Sequence, residues 1–338
     1  MSILRFIGYF CSALSIAILI SCSNQTPNTT TSAPAAQSST QASSAMNHSM
    51  SGGRKININS AILSELDKLE AKLGVPALSN KIQASRPYGN VEELVAKNVV
   101  TQPQFDQIKD MVTIEDIQLE GEAKDVDYMT KLALMKGHLI VAKELLDLQK
   151  PDQAEPHIGH PVEEIYADVE DQLNERKVQA FKEPLIALQD EVKAGAKDAA
   201  KVGTGFKSSM QSVDTAIAAL PETQRNSPSF VLKTINGLLD TANSEYGAAI
   251  ADGKISQLIE YQDSRGFVTY ANELYDGISV QMAKEHQDAH KEIETTMATL
   301  TKTWPTPTAP AAPVSTSDEV SKMVKTIEAS TQKVTKAS

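Results

Sequence analysis

Cysteine is nearly missing from this 338-residue chain: Cys11 and Cys22 are the two copies, and none follows position 22. Beyond that point a disulfide, a thiolate metal site and a cysteine nucleophile are all excluded, so the fold must be stabilised by its core. Hydrophobic composition of 41% is enough to build one. Basic side chains are outnumbered, with 32 Lys and Arg against 43 Asp and Glu and a net charge of −11. No segment alternates apolar and polar residues for long, so no extended sheet is expected. The sequence also lacks a Ser-centred nucleophile elbow, a phosphate loop and a His-Glu-x-x-His pair. With no catalytic set, the chain is expected to work by binding and not as an enzyme.

The long apolar run lies at the start. Arg5 precedes Phe6 to Ile20, which lead into Ser21 and Cys22. A basic residue, an apolar stretch and a small residue at the cut form a secretory signal, and the run is short of the roughly 20 residues a membrane span needs. Leu19-Ile20-Ser21-Cys22 resembles the bacterial lipobox, which implies cleavage after residue 21 and lipidation of Cys22. The mature protein would then be exported and held on a membrane by its acyl chains, facing the periplasm or a thylakoid lumen. Residues 22–53 carry no charge and are rich in Ser, Thr, Ala and Gln, the composition of a disordered tether. Within them, Met46-Asn47-His48-Ser49-Met50 combines thioethers with an imidazole, a soft set suited to copper.

Residues 54–113 begin the patterned sequence. Ser60 is placed to cap a helix carrying Ile62, Leu66, Leu69 and Leu73; Gly74-Val75-Pro76 reads as a turn; Leu78 and Ile82 form a second helix that ends before Pro87. Val91, Leu94 and Val95 give a third, and Phe105, Ile108 and Val112 a fourth. With Lys55-Ile56-Asn57-Ile58-Asn59-Ser60-Ala61 and Arg86-Pro87-Tyr88-Gly89-Asn90-Val91-Glu92-Glu93-Leu94, this stretch resembles the paired helix-hairpin-helix domain of ComEA-type competence proteins and of the PsbU extrinsic subunit of cyanobacterial photosystem II. The resemblance implies hairpins at Gly74, Val75 and Pro76 and at Asn98, Val99 and Val100 that dock on a partner. DNA-binding members present glycine-rich hairpins to phosphate. Here the second hairpin has no glycine, and from Lys55 to Thr113 seven basic residues balance seven acidic ones. A protein partner is therefore favoured over ComEA-like DNA binding, which needs surplus positive charge.

An acidic connector at 114–126 leads into a helical bundle at 127–304, with helices expected at 127–149, 161–176, 178–194, 196–219, 229–251, 255–277 and 280–303. Residues 114–338 hold 23 basic and 36 acidic side chains, so the acidic excess lies there. Residues 305–338 read as a Pro-rich extended segment and a loose terminal helix. The fold class is thus all-α: a small module followed by a larger antiparallel bundle.

Inside the bundle, Lys136–Asp147 aligns without gaps to Arg265–Asp276, matching at Gly137/Gly266, Ala142/Ala271, Glu144/Glu273, Leu145/Leu274 and Asp147/Asp276. This suggests a duplicated unit. The paired glycines are expected at a close helix crossing, where a missing Cβ lets backbones approach. Histidines also concentrate in the bundle. His138 lies on the apolar row Leu134, His138, Val141, Leu145; His286 lies on Met282, His286, Ala289, Ile293; His290 flanks the latter. With Glu144, Glu273 or Asp263 beside them, these three could hold a divalent metal ion between helices. His160-Pro161-Val162-Glu163 resembles the His-x-x-Glu motif of imelysin-like periplasmic proteins, but Pro161 at the first helical position makes His160 a cap and Glu163 its partner.

Overall fold

The computed structural model describes residues 55–116 and 119–336. Cys22, the tether and its Met/His string lie outside the described residues. What is described is all-α. Helices α1 (Leu63–Leu73), α2 (Leu78–Ala84), α3 (Glu93–Ala96) and α4 (Gln102–Ile108) form a small N-terminal layer. Its core is Ile58, Leu66, Leu69, Leu78, Ile82, Leu94, Phe105 and Ile108, closed by a parallel bridge between β1 (Ile56–Asn57) and β2 (Val112–Thr113).

Both turns of this layer need a left-handed residue. Gly74 supplies one at φ +62°, and Asn98 supplies the other at φ +56°. Asparagine is among the few side chains that tolerate this conformation, which accounts for a hairpin without glycine. Val99 and Val100 turn inward and are buried in the layer's core, so they are not available for docking, contrary to expectation; Asn98, Gly74 and Pro76 are exposed. Ser60 does not cap α1 either. The Leu63 N–H at that terminus donates instead to Glu164 Oε2 at 3.0 Å, 101 residues away. The bundle, not the local sequence, satisfies this orphan donor.

The bundle comprises α5 (Gly121–Asp147), α6 (Pro151–Ala154), α7 (Pro156–His160), a π-turn (Pro161–Ile165), α8 (Tyr166–Glu175), α9 (Lys182–Lys193), α10 (Ala199–Ala218), α11 (Glu222–Arg225), α12 (Pro228–Ala249), α13 (Leu258–Glu285), α14 (Gln287–Leu300) and α15 (Ser317–Thr335). Three long helices, α5, α12 and α13, pack on one another. A tight hairpin joins α12 to α13: β3 (Ile250–Ala251) and β4 (Lys254–Ile255) pair across Asp252 and Gly253, both at positive φ, as a two-residue hairpin turn requires.

Three boundaries differ from expectation. Helix α13 runs through Gly277 and breaks at His286, because one helical glycine costs only about 1 kcal/mol, too little to end a helix otherwise held by packing. The connector's second half is already the first turn of α5. The terminal helix is not loose. Thr316 and Glu319 form a capping box, and Val320, Val324, Ile327 and Val334 are buried against α12 and α14.

Candidate metal centre at the crossing of two long helices

Helices α5 and α13 cross with their backbones in contact. A Cβ on Gly266 would lie 2.2 Å from the Gly137 carbonyl oxygen, and one on Gly137 would lie 2.6 Å from Phe267 Cδ1. The matched glycines thus face each other, and the approach they permit brings His138 and Asp263 together. His138 Nδ1 is 2.6 Å from Asp263 Oδ1, and both residues are buried.

A third chain segment completes the set. From Pro156 to Glu175 the chain is one continuous helical run, interrupted by the π-turn. Pro161 has no N–H to give to the preceding turn, and the Tyr166 N–H reaches back five residues to the Pro161 carbonyl. His160 therefore has helical dihedrals (φ −54°, ψ −48°) and is not a cap, which corrects the capping assignment made for it and Glu163. Being three residues apart, His157 and His160 share one face, and that face looks at Asp263. His157 Nδ1 is 2.7 Å from Asp263 Oδ1, and His160 Nδ1 is 3.5 Å from Asp263 Oδ2.

Hydrogen bonding separates the roles of these imidazoles. The Gln262 amide nitrogen donates to the Pro307 carbonyl at 3.0 Å and to Gln153 Oε1 at 3.2 Å. A carbonyl only accepts, so the orientation of the amide is settled and Gln262 Oε1 accepts from His157 Nε2 at 2.9 Å. Both nitrogens of His157 are engaged. His138 differs: Nδ1 is given to Asp263, while Nε2 is buried without any hydrogen-bond partner. Burial holds the His138 imidazole below its ordinary pKa despite the pull of Asp263, so the ring is neutral and Nε2 carries a lone pair. For Asp263, burial opposes ionisation, but the His138 and His157 imidazoles against its Oδ1 outweigh it and hold the carboxyl well below its usual range.

His160 is the partly open member of the set, with 30% of its side chain exposed. Burial lowers its pKa, but the hydrogen bond and charge of Asp263, with Glu164 and Glu260, push it up to about 9. In the metal-free chain this contributes stability that is complete below about pH 6.5 and lost as the pH rises through about 9. His138, His160 and Asp263 each offer a ligand atom within 4.8 Å of the others. A carboxylate that fixes one ring nitrogen while the other points at an open position is how metal-binding histidines are oriented.

The other expected ligands do not converge here. His286 lies at the α13–α14 break, half-exposed and 23 residues beyond Asp263, roughly 34 Å along the helix axis at 1.5 Å per residue. His290 stacks on Tyr275 and its Nδ1 meets the Tyr275 hydroxyl at 2.9 Å. Glu144 is engaged by Arg265 at 2.6 and 2.7 Å, and Glu273 is exposed. One expected histidine, His138, belongs to the site; its partners are His160 and Asp263, with His157 behind them. The sequence did hold a signal for these: two histidines three apart in a helix that a proline cannot continue normally.

Residues 221–338 match the family model of the iron permease-associated 4-helix bundle domain. The matched stretch holds α11 to α15 and therefore Gln262 and Asp263, but not the three histidines. No curated protein and no solved structure matches the chain.

Proposed function

We propose that this chain is a metal-binding protein that takes a divalent first-row ion at the His138, His160 and Asp263 cluster, with His138 Nε2 and His160 as ligands and Asp263 holding the His138 ring from its Nδ1 side. One observation carries the reading: a fully buried, neutral imidazole with an orphaned Nε2 whose other nitrogen is fixed by a carboxylate. Leaving a buried polar atom unpartnered costs about 1–3 kcal/mol, a penalty that a ligand at Nε2 would remove. Imidazole ligands suit zinc, copper or ferrous iron better than calcium or magnesium, which favour oxygen ligands. The iron permease-associated description of the matched C-terminal stretch supports iron as the ion handled.

In this reading Cys22 anchors the protein to a bacterial membrane, and the uncharged tether lets the bundle work near that surface. Titration with Co(II), followed by its visible absorption, tests the site. Wild type should bind one equivalent, and Asp263→Asn and His160→Gln should each weaken binding at least tenfold, the usual scale of losing a ligand or its orienting partner. Unchanged binding in both variants would remove the site from consideration.

A further inference from the structure

His157 is the buried histidine that holds no ligand position, yet both of its ring nitrogens face oxygen. Nδ1 lies 2.7 Å from Asp263 Oδ1, and Nε2 lies 2.9 Å from Gln262 Oε1. His157 and Gln262 are both fully buried, so no water takes the place of these partners. The Gln262 amide cannot be reversed: its nitrogen is held by the Pro307 carbonyl at 3.0 Å, and an oxygen placed there would face another oxygen. Pro307 is itself fixed, because the segment after α14 is strapped to the first turns of α13. The Tyr261 hydroxyl donates to the Thr306 carbonyl at 3.2 Å, and Trp304 Nε1 donates to Ser264 Oγ at 2.7 Å. Gln262 Oε1 is therefore an acceptor aimed at His157, and Nε2 must carry a hydrogen.

The short contact at Nδ1 needs a hydrogen as well, and it sits on either the ring or the carboxyl. An imidazole is the stronger base. Asp263 Oδ1 also accepts from His138 Nδ1 at 2.6 Å, a bond that favours the carboxylate anion. Both arguments place the hydrogen on His157, which then has two N–H groups and an acceptor for each. His138 has no such pair of acceptors, because its Nε2 meets no partner and a buried N–H there would go unsatisfied. The two ring centroids are 6.4 Å apart, so charging both would set like charges side by side. One positive charge thus belongs to this pair of rings, and the hydrogen bonds give it to His157.

We propose that His157 is a built-in counter-cation, an imidazolium that Gln262 holds against Asp263, and that it keeps the neighbouring metal site loose enough to release its ion. The imidazolium rests on hydrogen bonding alone; its effect on affinity rests on the metal-binding reading. Without it, Asp263 would set an uncompensated negative charge beside a divalent cation in a buried site, where charges attract strongly. The His157 charge cancels much of that attraction. Holding the ion is then left to the lone pairs of His138 and His160, while Asp263 still orients the His138 ring. A site balanced in this way suits a protein that passes its ion on. Gln262 and His157 are positioning residues in this scheme, since neither touches the ion.

The test begins with nitrogen NMR of the metal-free full chain, isotope-labelled in histidine, at neutral pH. The ring whose signals vanish in His157→Gln should carry hydrogen on both nitrogens in wild type, and on only one in Gln262→Leu, which removes the Nε2 acceptor. A single hydrogen on that ring in wild type would overturn the assignment. Co(II) titration then reads the consequence. His157→Gln keeps an N–H donor for Asp263 but removes the charge, so it should bind Co(II) at least tenfold more tightly than wild type. Gln262→Leu should shift affinity in the same direction and covers the case in which the first variant folds poorly. A purely structural His157 gives the opposite sign, because loosening the cluster weakens binding. Equal or weaker Co(II) binding in the folded variants would overturn the affinity role. Failure of wild type and both variants to bind Co(II) would refute the metal reading and the affinity role with it, while the nitrogen spectra decide the imidazolium on their own.

Discussion

Lys136–Asp147 on α5 and Arg265–Asp276 on α13 are two versions of one strip, packed on each other about their glycines. Their contacts run in opposite chain senses: Lys136 lies over the ring of Tyr270, while Glu144 reaches Arg265. The geometry is shared, but the chemistry is not. His138 has Phe267 as its counterpart, and Asp263 has Leu134; all four are buried, and His138 and Phe267 meet edge to face at 4.9 Å. One end of the crossing thus holds an imidazole and a carboxylate where the other holds a phenyl ring and an isobutyl group. An apolar pair suffices for packing at this position. The polar pair carries the desolvation cost of a buried charge, which needs a reason other than stability.

The largest expected effect comes from closing the crossing itself. Gly266→Ala places a methyl group 2.2 Å from a backbone oxygen that cannot move aside. It should destabilise the protein by about 3 kcal/mol or more in urea unfolding, since overpacking of a tight contact typically costs 1–3 and backbone overlap is a severe case. Gly277→Ala in the same helix meets nothing within 4 Å and should be neutral or stabilising by up to about 1 kcal/mol. Similar losses from both would mean that the close approach is not what the matched glycines provide.

Removing one member of the polar pair should come next. Asp263→Asn leaves His157 and His138 without their shared carboxylate, and unfolding measurements should show a loss of about 3 kcal/mol, the scale of a broken buried pair. Changing Phe267 to Leu on the apolar side removes ring volume without orphaning any charge, and should cost less than half as much. If the two substitutions cost the same, the polar end is ordinary core.

The ion pairs provide a smaller contrast. Arg265 makes two bonds to Glu144 and also donates to the Trp304 carbonyl, whereas its counterpart Lys136 makes one bond to exposed Asp214. Arg265→Ala should cost about 2 kcal/mol and Lys136→Ala under 1 kcal/mol in the same assay, as bidentate, partly buried pairs exceed exposed ones. The smallest effect is that of pH on the N-terminal layer, where burial raises the Asp67 carboxyl of α1 to about 7. Wild-type melting temperature should fall between pH 5.5 and 7.5 as Asp67 loses its proton, and Asp67→Asn should flatten that slope while leaving α5 and α13 untouched.

Several of these elements could be read from the residues alone. Amphipathic spacing located every long helix, and two glycines in a repeated strip marked the close crossing, because both depend on short-range rules. Helix ends were less legible: α1 borrows its cap from Glu164, and α13 ignores Gly277 because packing on α12 and α5 outweighs local propensity. The site was half legible. His138 showed itself as an imidazole on an apolar row, and Asp263 stood among the neighbours expected for it. His286 and His290 have the same residue type and a similar row, yet they end at a helix break and against Tyr275. Periodicity gives the face of a helix but not which helix it meets. His157 and His160 were concealed by Pro161, which signals a helix start by the usual rule and here marks a π-turn within one.

The most direct measurement is metal content of three proteins purified side by side without chelator or affinity tag: wild type, His138→Gln and His286→Gln. A site at the α5–α13 crossing predicts one equivalent of a divalent first-row ion in wild type and in His286→Gln, and none in His138→Gln, with helical content equal in all three. Equal metal in wild type and His138→Gln would contradict it.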